Sequence, residues 1–315
     1  MAKLFENKVF QDPEAARLWL EARLWPQGPI CGHCGAVDEA CDLSSRPGTY
    51  QCNACRKQFT VTVGTVFERS HIPLNKWLLA TFLFVSSKKG ISAHQMHRLL
   101  DITYKSAWFM MHRLREAMTP INPSRLGGLG DVVEADETYF GKKAGRRKAA
   151  GAGGYAHKIA VLSLTERGGE TRSQMIDGVD TISVRRVIRK HVDEESALHT
   201  DGAQIYKHMG IVDIHETVEH TKGEYVRYPK GAPKVHTNTL EGYFSVFKRG
   251  LIGTYQHIGE QHVNRYLAEF DFRQTHRAAN GIGDEMRAEI AIQGIVGKRL
   301  TYRWTDTTKN HRSVG

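Results

Sequence analysis

The sequence predicts a multidomain chain: a small metal-held ribbon, a helical region of helix-turn-helix character, and an α/β domain built on a mixed sheet. Three observations predict it. Two Cys-x-x-Cys pairs lie near the start, and two helical segments flank a short break at Asp101-Ile-Thr103. Beyond a linker rich in Pro and Gly come three strand-like segments, a basic helical one and a further strand. At 315 residues the chain exceeds one typical domain, so two or three compact units with buried cores are expected.

The first element is an amphipathic helix over Asp12 to Trp25, with Pro13 near its start and Ala15, Leu18, Leu20 and Leu24 among its apolar positions. The cysteine pairs follow, Cys31-Gly-His-Cys34 and Cys52-Asn-Ala-Cys55, with 17 residues between them. Each pair forms a tight knuckle that presents two thiolates, and two knuckles complete the closed tetrahedral shell of one structural zinc. Short strands around Thr49-Tyr-Gln and Lys57-Gln-Phe-Thr-Val flank the second knuckle. Disulfides are disfavoured in a cytoplasmic setting, and a redox Cys-x-x-Cys needs no second pair. His33 lies in a knuckle whose shell four cysteines already fill, and Cys41 is a bystander.

Leu74 to Ser87 is long and apolar enough for a buried helix. After the breaker Lys88-Lys-Gly90, Ser92 offers an N-cap for Ala93 to Leu100, and Tyr104 to Met118 resumes helical spacing. Two helices about a short turn suggest a helix-turn-helix, whose second helix would bring Lys105, His112, Arg113 and Arg115 to DNA. Many three-helix units share that outline without touching DNA. Pro120 to Gly130 is the linker. Strands are expected over Asp131 to Phe140, Lys158 to Leu164, Thr171 to Ile176 and Ala197 to Thr200, with a basic helix over Ser183 to Val192. A second long helical pattern covers His262 to His276, and the tail containing Trp304 carries no functional signal.

Lys and Arg outnumber Asp and Glu 44 to 34, a formal +10 that falls only to +8 when four thiolates bind one zinc. Such an excess favours a polyanionic partner, nucleic acid first. No apolar run approaches the roughly 18 residues of a membrane span, and the first residues lack the apolar core of a secretory signal. A cytoplasmic, nucleoid-associated protein with no membrane partner is expected.

Asp136 lies inside a strand-like run and Asp201 ends another, so both carboxylates can project from the sheet rim into one site. Two-metal phosphoryl transfer needs such hard oxygen ligands, drawn from separate parts of the chain and bracketing cations roughly 3.5 to 4 Å apart. The third ligand should open a helix, and the segment Val235 to Gly250 supplies Glu241, with Lys248 two turns on and on the same face. Asn238 lies one turn before Glu241. Asn238-x-x-Glu241 ahead of an apolar run is equally the pattern of a capping box, which needs no metal. Glu137, beside Asp136 in a strand, should point to the opposite face. The stretch Lys142, Lys143, Arg146, Arg147 and Lys148 sits in a Gly-rich loop beside Asp136 and suggests a basic DNA clamp, or an ordinary solvated loop.

These residues resemble a known family, the bacterial insertion-sequence transposases that join an amino-terminal zinc ribbon to a DDE-type, ribonuclease-H-like catalytic domain of the ISXO-like kind. The resemblance covers most of the chain. It is carried by Cys31 to Cys55 with Arg56-Lys-Gln-Phe-Thr-Val-Thr-Val-Gly-Thr-Val-Phe67, by Ser86-Ser-Lys-Lys-Gly-Ile-Ser92, and by Tyr104-Lys-Ser-Ala-Trp-Phe-Met-Met-His-Arg113. Glu134-Ala-Asp-Glu-Thr-Tyr-Phe-Gly-Lys-Lys143 and His236-Thr-Asn-Thr-Leu-Glu241 complete it.

The resemblance implies that Asp136 and Asp201, with 64 residues between them, are the two aspartates, and that Glu241 follows after 39 more. Relatives carry Asn or Glu at the third position, and this chain offers both Asn238 and Glu241. A carboxylate binds magnesium better than an amide, which favours Glu241. The expected organisation is an N-terminal helix and zinc ribbon over 1–70, a helical DNA-binding region over 71–119 and a linker over 120–130. A ribonuclease-H-like catalytic domain follows over 131–280, and a C-terminal tail over 281–315.

The implied activity is metal-dependent cleavage at the ends of a mobile element and strand transfer into target DNA. It would use one structural zinc and two catalytic Mg2+ or Mn2+ ions, with the terminal inverted repeats and target DNA as partners and a homo-oligomer assembled on DNA. Lys105, Arg113, Lys142, Lys143, Arg146, Arg147, Lys148, Lys248 and Arg249 are the expected DNA contacts. A hydrolytic ribonuclease-H-like nuclease and a catalytically silent, transposase-derived DNA-binding regulator are the rival readings.

Overall fold

The computed structural model of the chain describes residues 6–145, 154–155, 157–207 and 210–301. Arg146, Arg147, Lys148 and Trp304 lie outside the described residues.

The amino-terminal segment forms α1 (Lys8–Gln11) and α2 (Pro13–Leu24). The Asp12 carboxylate caps α2 by accepting from the amides of Glu14 and Ala15, the capping chemistry that a Pro at the first helical position anticipates. A three-stranded antiparallel sheet follows, β1 (Ala40–Asp42), β2 (Tyr50–Cys52) and β3 (Gln58–Phe59). Trp25, Tyr50 and Phe59 pack together against Cys31 and Cys52 as its small core.

Three helices come next, α3 (Leu74–Ser86), α4 (Ala93–Leu100) and α5 (Tyr104–Met118). Ser92 caps α4 by accepting from the Gln95 amide, and Thr103 caps α5 by accepting from the Ser106 amide. Between them Asp101 takes a left-handed conformation, φ 47°, which ends α4 within one residue. Trp77, Phe84, Met96, Met110 and Met111 are buried in a common core.

Part of the stretch expected as a C-terminal tail is helical. Asp284–Gln293 forms α9, and Ala291, Ile292 and Ile295 complete the core of the helical region. The Val66 amide donates to the Ile295 carbonyl, and Thr65 pairs with Val296. The chain therefore returns to where the ribbon ends, a long-range closure that local periodicity does not reveal.

The second unit is a five-stranded mixed sheet of β4 (Val132–Phe140), β5 (Ile159–Glu166), β6 (Thr171–Ile176), β7 (Ala197–Asp201) and β8 (Ile214–Val218) in the order β6-β5-β4-β7-β8. β4 pairs antiparallel with β5, and β5 with β6, whereas β4 pairs parallel with β7, and β7 with β8. Helix α6 (Thr181–His191) covers one face, where Val184, Val187 and Ile188 meet Val133, Ala135 and Leu198. Helices α7 (Asn238–Gly250) and α8 (Val263–Thr275) cover the other, where Phe244, Phe247 and Phe270 meet Ile159 and Val161. Alternation along a strand thus sends odd-numbered β4 residues toward α6 and even-numbered ones toward α7.

The two units join through a buried charge cluster. The Glu269 carboxylate on α8 pairs with Arg115 on α5 at 2.7 Å and with Arg273, and also accepts from the Tyr255 hydroxyl. Arg273 donates to the Phe84 carbonyl at the end of α3. Gly90, with φ 92°, leaves the space that the Tyr255 ring occupies, since a Cβ there would meet that ring. Among the described residues no helix is long and apolar enough to cross a membrane.

Candidate metal centres and nucleic-acid interface

The first site is the cysteine cluster. Within each knuckle the amide after the second cysteine donates back to the first, Gly35 to Cys31 at 2.8 Å and Arg56 to Cys52 at 2.9 Å. Gly35 and Arg56 both adopt positive φ, 79° and 61°. The two turns are therefore built alike, although only one has the glycine that such a turn favours. The Sγ atoms of Cys31 and Cys55 lie 3.7 Å apart, as do those of Cys34 and Cys52. A tetrahedral shell with Zn–S bonds of about 2.3 Å has edges of about 3.8 Å, so the sulfur positions fit one zinc. Cys41 Sγ instead contacts the Asn53 side chain, and His33 Nε2 faces the Gln58 carbonyl. The zinc ribbon is thus formed by Cys31, Cys34, Cys52 and Cys55, the one group of potential ligands within 4.8 Å of one another among the described residues.

The second site lies on the α7 face of the mixed sheet. Asp136, an even-numbered β4 residue, has Ser163 as its antiparallel partner. The parallel register of β4 and β7 pairs Glu134 with His199, and two residues further along both strands it brings Asp201 level with Asp136 on the same face. Burial and the neighbouring charges of Glu137, Asp201 and Glu241 push the Asp136 carboxyl up to about 8. The Asp201 and Glu241 carboxylates therefore both act on Asp136, a repulsion that a divalent cation relieves. Asp136 Oδ1 accepts from the Glu137 amide, and Asp201 Oδ1 accepts from the Ala203 amide. Glu137 turns to the α6 face, where its carboxylate accepts from the buried Tyr206 hydroxyl at 2.6 Å.

What holds Glu241 over the sheet is a residue that sequence reasoning missed. Glu134, wholly buried in β4, accepts from the amides of Thr239 and Leu240 and from the Thr239 hydroxyl at the first turn of α7. The capping-box alternative does not hold: Asn238 is already helical, and no side chain of Thr237 caps the helix. Arg167, in the β5–β6 turn, pairs with Glu134 at 2.8 Å and donates to His199 Nδ1 and to the carbonyls of Lys234 and His236. Burial, with Arg167 beside it, pulls His199 down to about 4, so this imidazole accepts as a neutral ring. The only hint in the sequence is the spacing Glu134-x-Asp136, which puts both acids on one strand face.

Glu241 itself is half exposed, with Oε1 3.6 Å from His220 Nε2. Asn238 lines a different cleft of about 700 Å³, with Lys88, Gly242 and Arg277. Lys248 and Lys142 share a pocket of about 280 Å³ with Tyr139, Phe140 and His257 at the end of β4. Lys143 donates to the Asp177 carbonyl, and Arg249 Nε to the Ser245 carbonyl of its own helix.

The structure divides the expected cations of α5. Lys105 lies exposed in the first turn. Arg113 is turned inward, donating to the carbonyls of Glu68 and Leu300 with its guanidinium over Phe109. His112 and Arg115 are also buried. Arg113, His112 and Arg115 are thus corrections to the expected DNA-contacting set, because the second half of α5 is the face that closes the helical core.

Two family models match the chain. One, described as a transposase zinc-ribbon domain, matches residues 11–58, and the other, described as an ISXO2-like transposase domain, matches residues 128–275. A protein of Halobacterium salinarum, described as an uncharacterized protein in transposable element ISH50, is 28% identical over 281 residues, which cover 82% of this chain and 90% of that relative.

Proposed function

We propose that this chain, which belongs to the insertion-sequence transposases that join a zinc ribbon to an ISXO2-like transposase domain, cuts DNA at the ends of its element and joins those ends to target DNA. The observation that carries the proposal is the register that sets Asp201 level with Asp136 on one face of the mixed sheet, with Glu241 close enough on α7 for its charge to act on Asp136. The strand order β6-β5-β4-β7-β8, antiparallel on one side of β4 and parallel on the other, supports a ribonuclease-H-like catalytic domain over 131–280.

Asp136, Asp201 and Glu241 would hold two Mg2+ or Mn2+ ions, which, when bound, supply Lewis-acid activation of the attacking hydroxyl and stabilisation of the leaving oxygen. The donors fit hard cations, being carboxylate oxygens with no thiolate among them. Glu241 is the third ligand in preference to Asn238, whose side lines the cleft with Lys88 and Arg277. Glu134 and Arg167 act by fixing where α7 begins. Lys248 and Lys142 hold phosphate beside the acids, with Lys143 and Arg249 flanking them. Arg146, Arg147 and Lys148, outside the described residues, belong to the same proposed set of basic DNA contacts.

Helices α4 and α5 form the helix-turn-helix, and exposed Lys105 at the start of α5 is placed where recognition helices meet DNA. The terminal inverted repeats and target DNA are the partners, and pairing of two ends requires more than one copy of the chain on DNA.

The test is strand transfer of labelled element ends into plasmid DNA with Mg2+ or Mn2+, comparing wild type with Asp136→Asn, Asp201→Asn, Glu241→Gln and Asn238→Ala. Loss of joined products in the three acid variants, with Asn238→Ala active, supports the proposal. Cleavage without joining would mean a hydrolytic nuclease. Binding with neither, unchanged in the variants, would mean a silent regulator.

A further inference from the structure

Helix α6 packs Val184, Val187 and Ile188 on the sheet face opposite Asp136 and turns Arg185, Arg186, Arg189 and Lys190 outward, all exposed. With Ile182 these four line a shallow groove along the helix. No acid occurs between Thr181 and His191. The helix dipole accounts for cations in the last turn but not for Arg185 and Arg186, which stand mid-helix. Acids border the patch at either end, and several are already engaged. Asp180 caps α6 by accepting from the Ser183 amide and hydroxyl, with Arg186 adding to the field that lowers its pKa. Beyond the helix Asp193 accepts from the Glu195 amide, and Glu194 lies 3.7 Å from Arg125.

We infer that this face of α6 binds the sugar–phosphate backbone of a further DNA duplex segment, separate from those held at Asp136, Asp201 and Glu241. The inference rests on the proposed DNA-joining function, in which the element end and the target both reach the acids, and goes beyond it by giving a further duplex segment a face of the sheet where it is held but not cut. Arg185 to Lys190 spans about 7.5 Å of helix axis, enough for roughly three phosphates of one strand at about 3.4 Å each, and the side chains extend that reach. The patch offers charge without the mix of donors and acceptors that base reading needs, so binding there is independent of sequence.

The experiment measures the affinity of the full-length, zinc-loaded protein for a labelled 30-base-pair duplex of arbitrary sequence as salt is raised. The protein is compared with R185Q/R186Q/R189Q/K190Q and with the charge-keeping R185K/R186K/R189K. Each lost phosphate contact removes about 0.9 from the slope of log affinity against log salt. The Gln variant should lose about 3 to 4, the Lys variant less than one, and metal-dependent cleavage of a duplex carrying the element end should persist in both. An unchanged slope in the Gln variant, or an equal loss in the Lys variant, overturns the inference. If wild type never cleaves, the proposed function fails, while the slope still reports on this face.

Discussion

Glu134 accepts two hydrogen bonds from Thr239, one from its amide at 3.0 Å and one from its hydroxyl at 2.9 Å, although 105 residues separate them. A helix leaves its first amides unpaired, and a local side chain usually answers them. In α7 a buried strand carboxylate does so instead, and its charge is favoured at the positive end of the helix dipole. The same strand carries Asp136 two residues on, so the placement of Glu241 relative to Asp136 is set by one carboxylate.

Substituting Glu134 should therefore cost both stability and geometry. Glu134→Gln leaves Arg167 without its ion-pair partner in a largely buried setting, a loss of about 3 kcal/mol, together with at least a tenfold fall in strand transfer. Urea denaturation of Glu134→Gln, Arg167→Met and the double variant gives the coupling. Additive effects in that cycle would show that the pair does not act as a unit.

Where structure is locally encoded, the sequence is readable almost to the residue. Ser92 announces α4 because a cap is a contact three residues long, and β4 announces itself by alternation. Three features escape for one physical reason, that their partners are distant in sequence. Strand β8 has no alternation of its own and exists by pairing with β7. Helix α9 is recognisable only from the core it closes. The Glu134–Arg167–α7 network joins three segments that no window contains. Arg113 misleads differently: a basic residue in a recognition-like helix says nothing about which way it faces, and here it faces inward.

The ribbon should carry one zinc per chain, measurable by metal analysis of the purified protein. Cys52→Ser or Cys34→Ser should abolish it, and Cys41→Ser should leave it whole, since the Cys41 thiol meets Asn53 rather than the other four cysteines. Prolonged chelation should unfold the segment around Tyr50 and Phe59, read from the aromatic circular dichroism of their cluster with Trp25. A stoichiometry of zero with native dichroism would exclude a structural role for the metal.

Lys105 and Arg113 should separate cleanly. Arg113→Met removes donors from two carbonyls and should lower stability by about 1 to 3 kcal/mol while leaving the salt slope of DNA binding unchanged. Lys105→Gln should leave stability within about 0.5 kcal/mol and reduce the slope by about 0.9. A slope change for Arg113→Met at full stability would mean that its guanidinium reaches DNA after all.

Asp271 gives a pH dependence whose sign is fixed by its surroundings. It is half-buried on α8, accepting from the Tyr243 hydroxyl at 2.6 Å and from the Ser173 amide and hydroxyl, each at 2.7 Å. Burial outweighs those bonds and pushes its carboxyl up to about 7 from an ordinary 3.8. The folded chain therefore binds this proton more tightly than the unfolded chain does. Between about pH 4 and pH 7 the carboxyl's contribution to stability falls as pH rises, and it is recovered as pH falls through the same window. Other groups titrate there too, His199 with the opposite sign, so the quantity to follow is the difference in unfolding free energy between wild type and Asp271→Asn. That difference should move against wild type by a few kcal/mol from pH 4.5 to pH 7. A difference that stays flat across the window would mean that Asp271 is ionised in the folded chain, held so by its three hydrogen bonds.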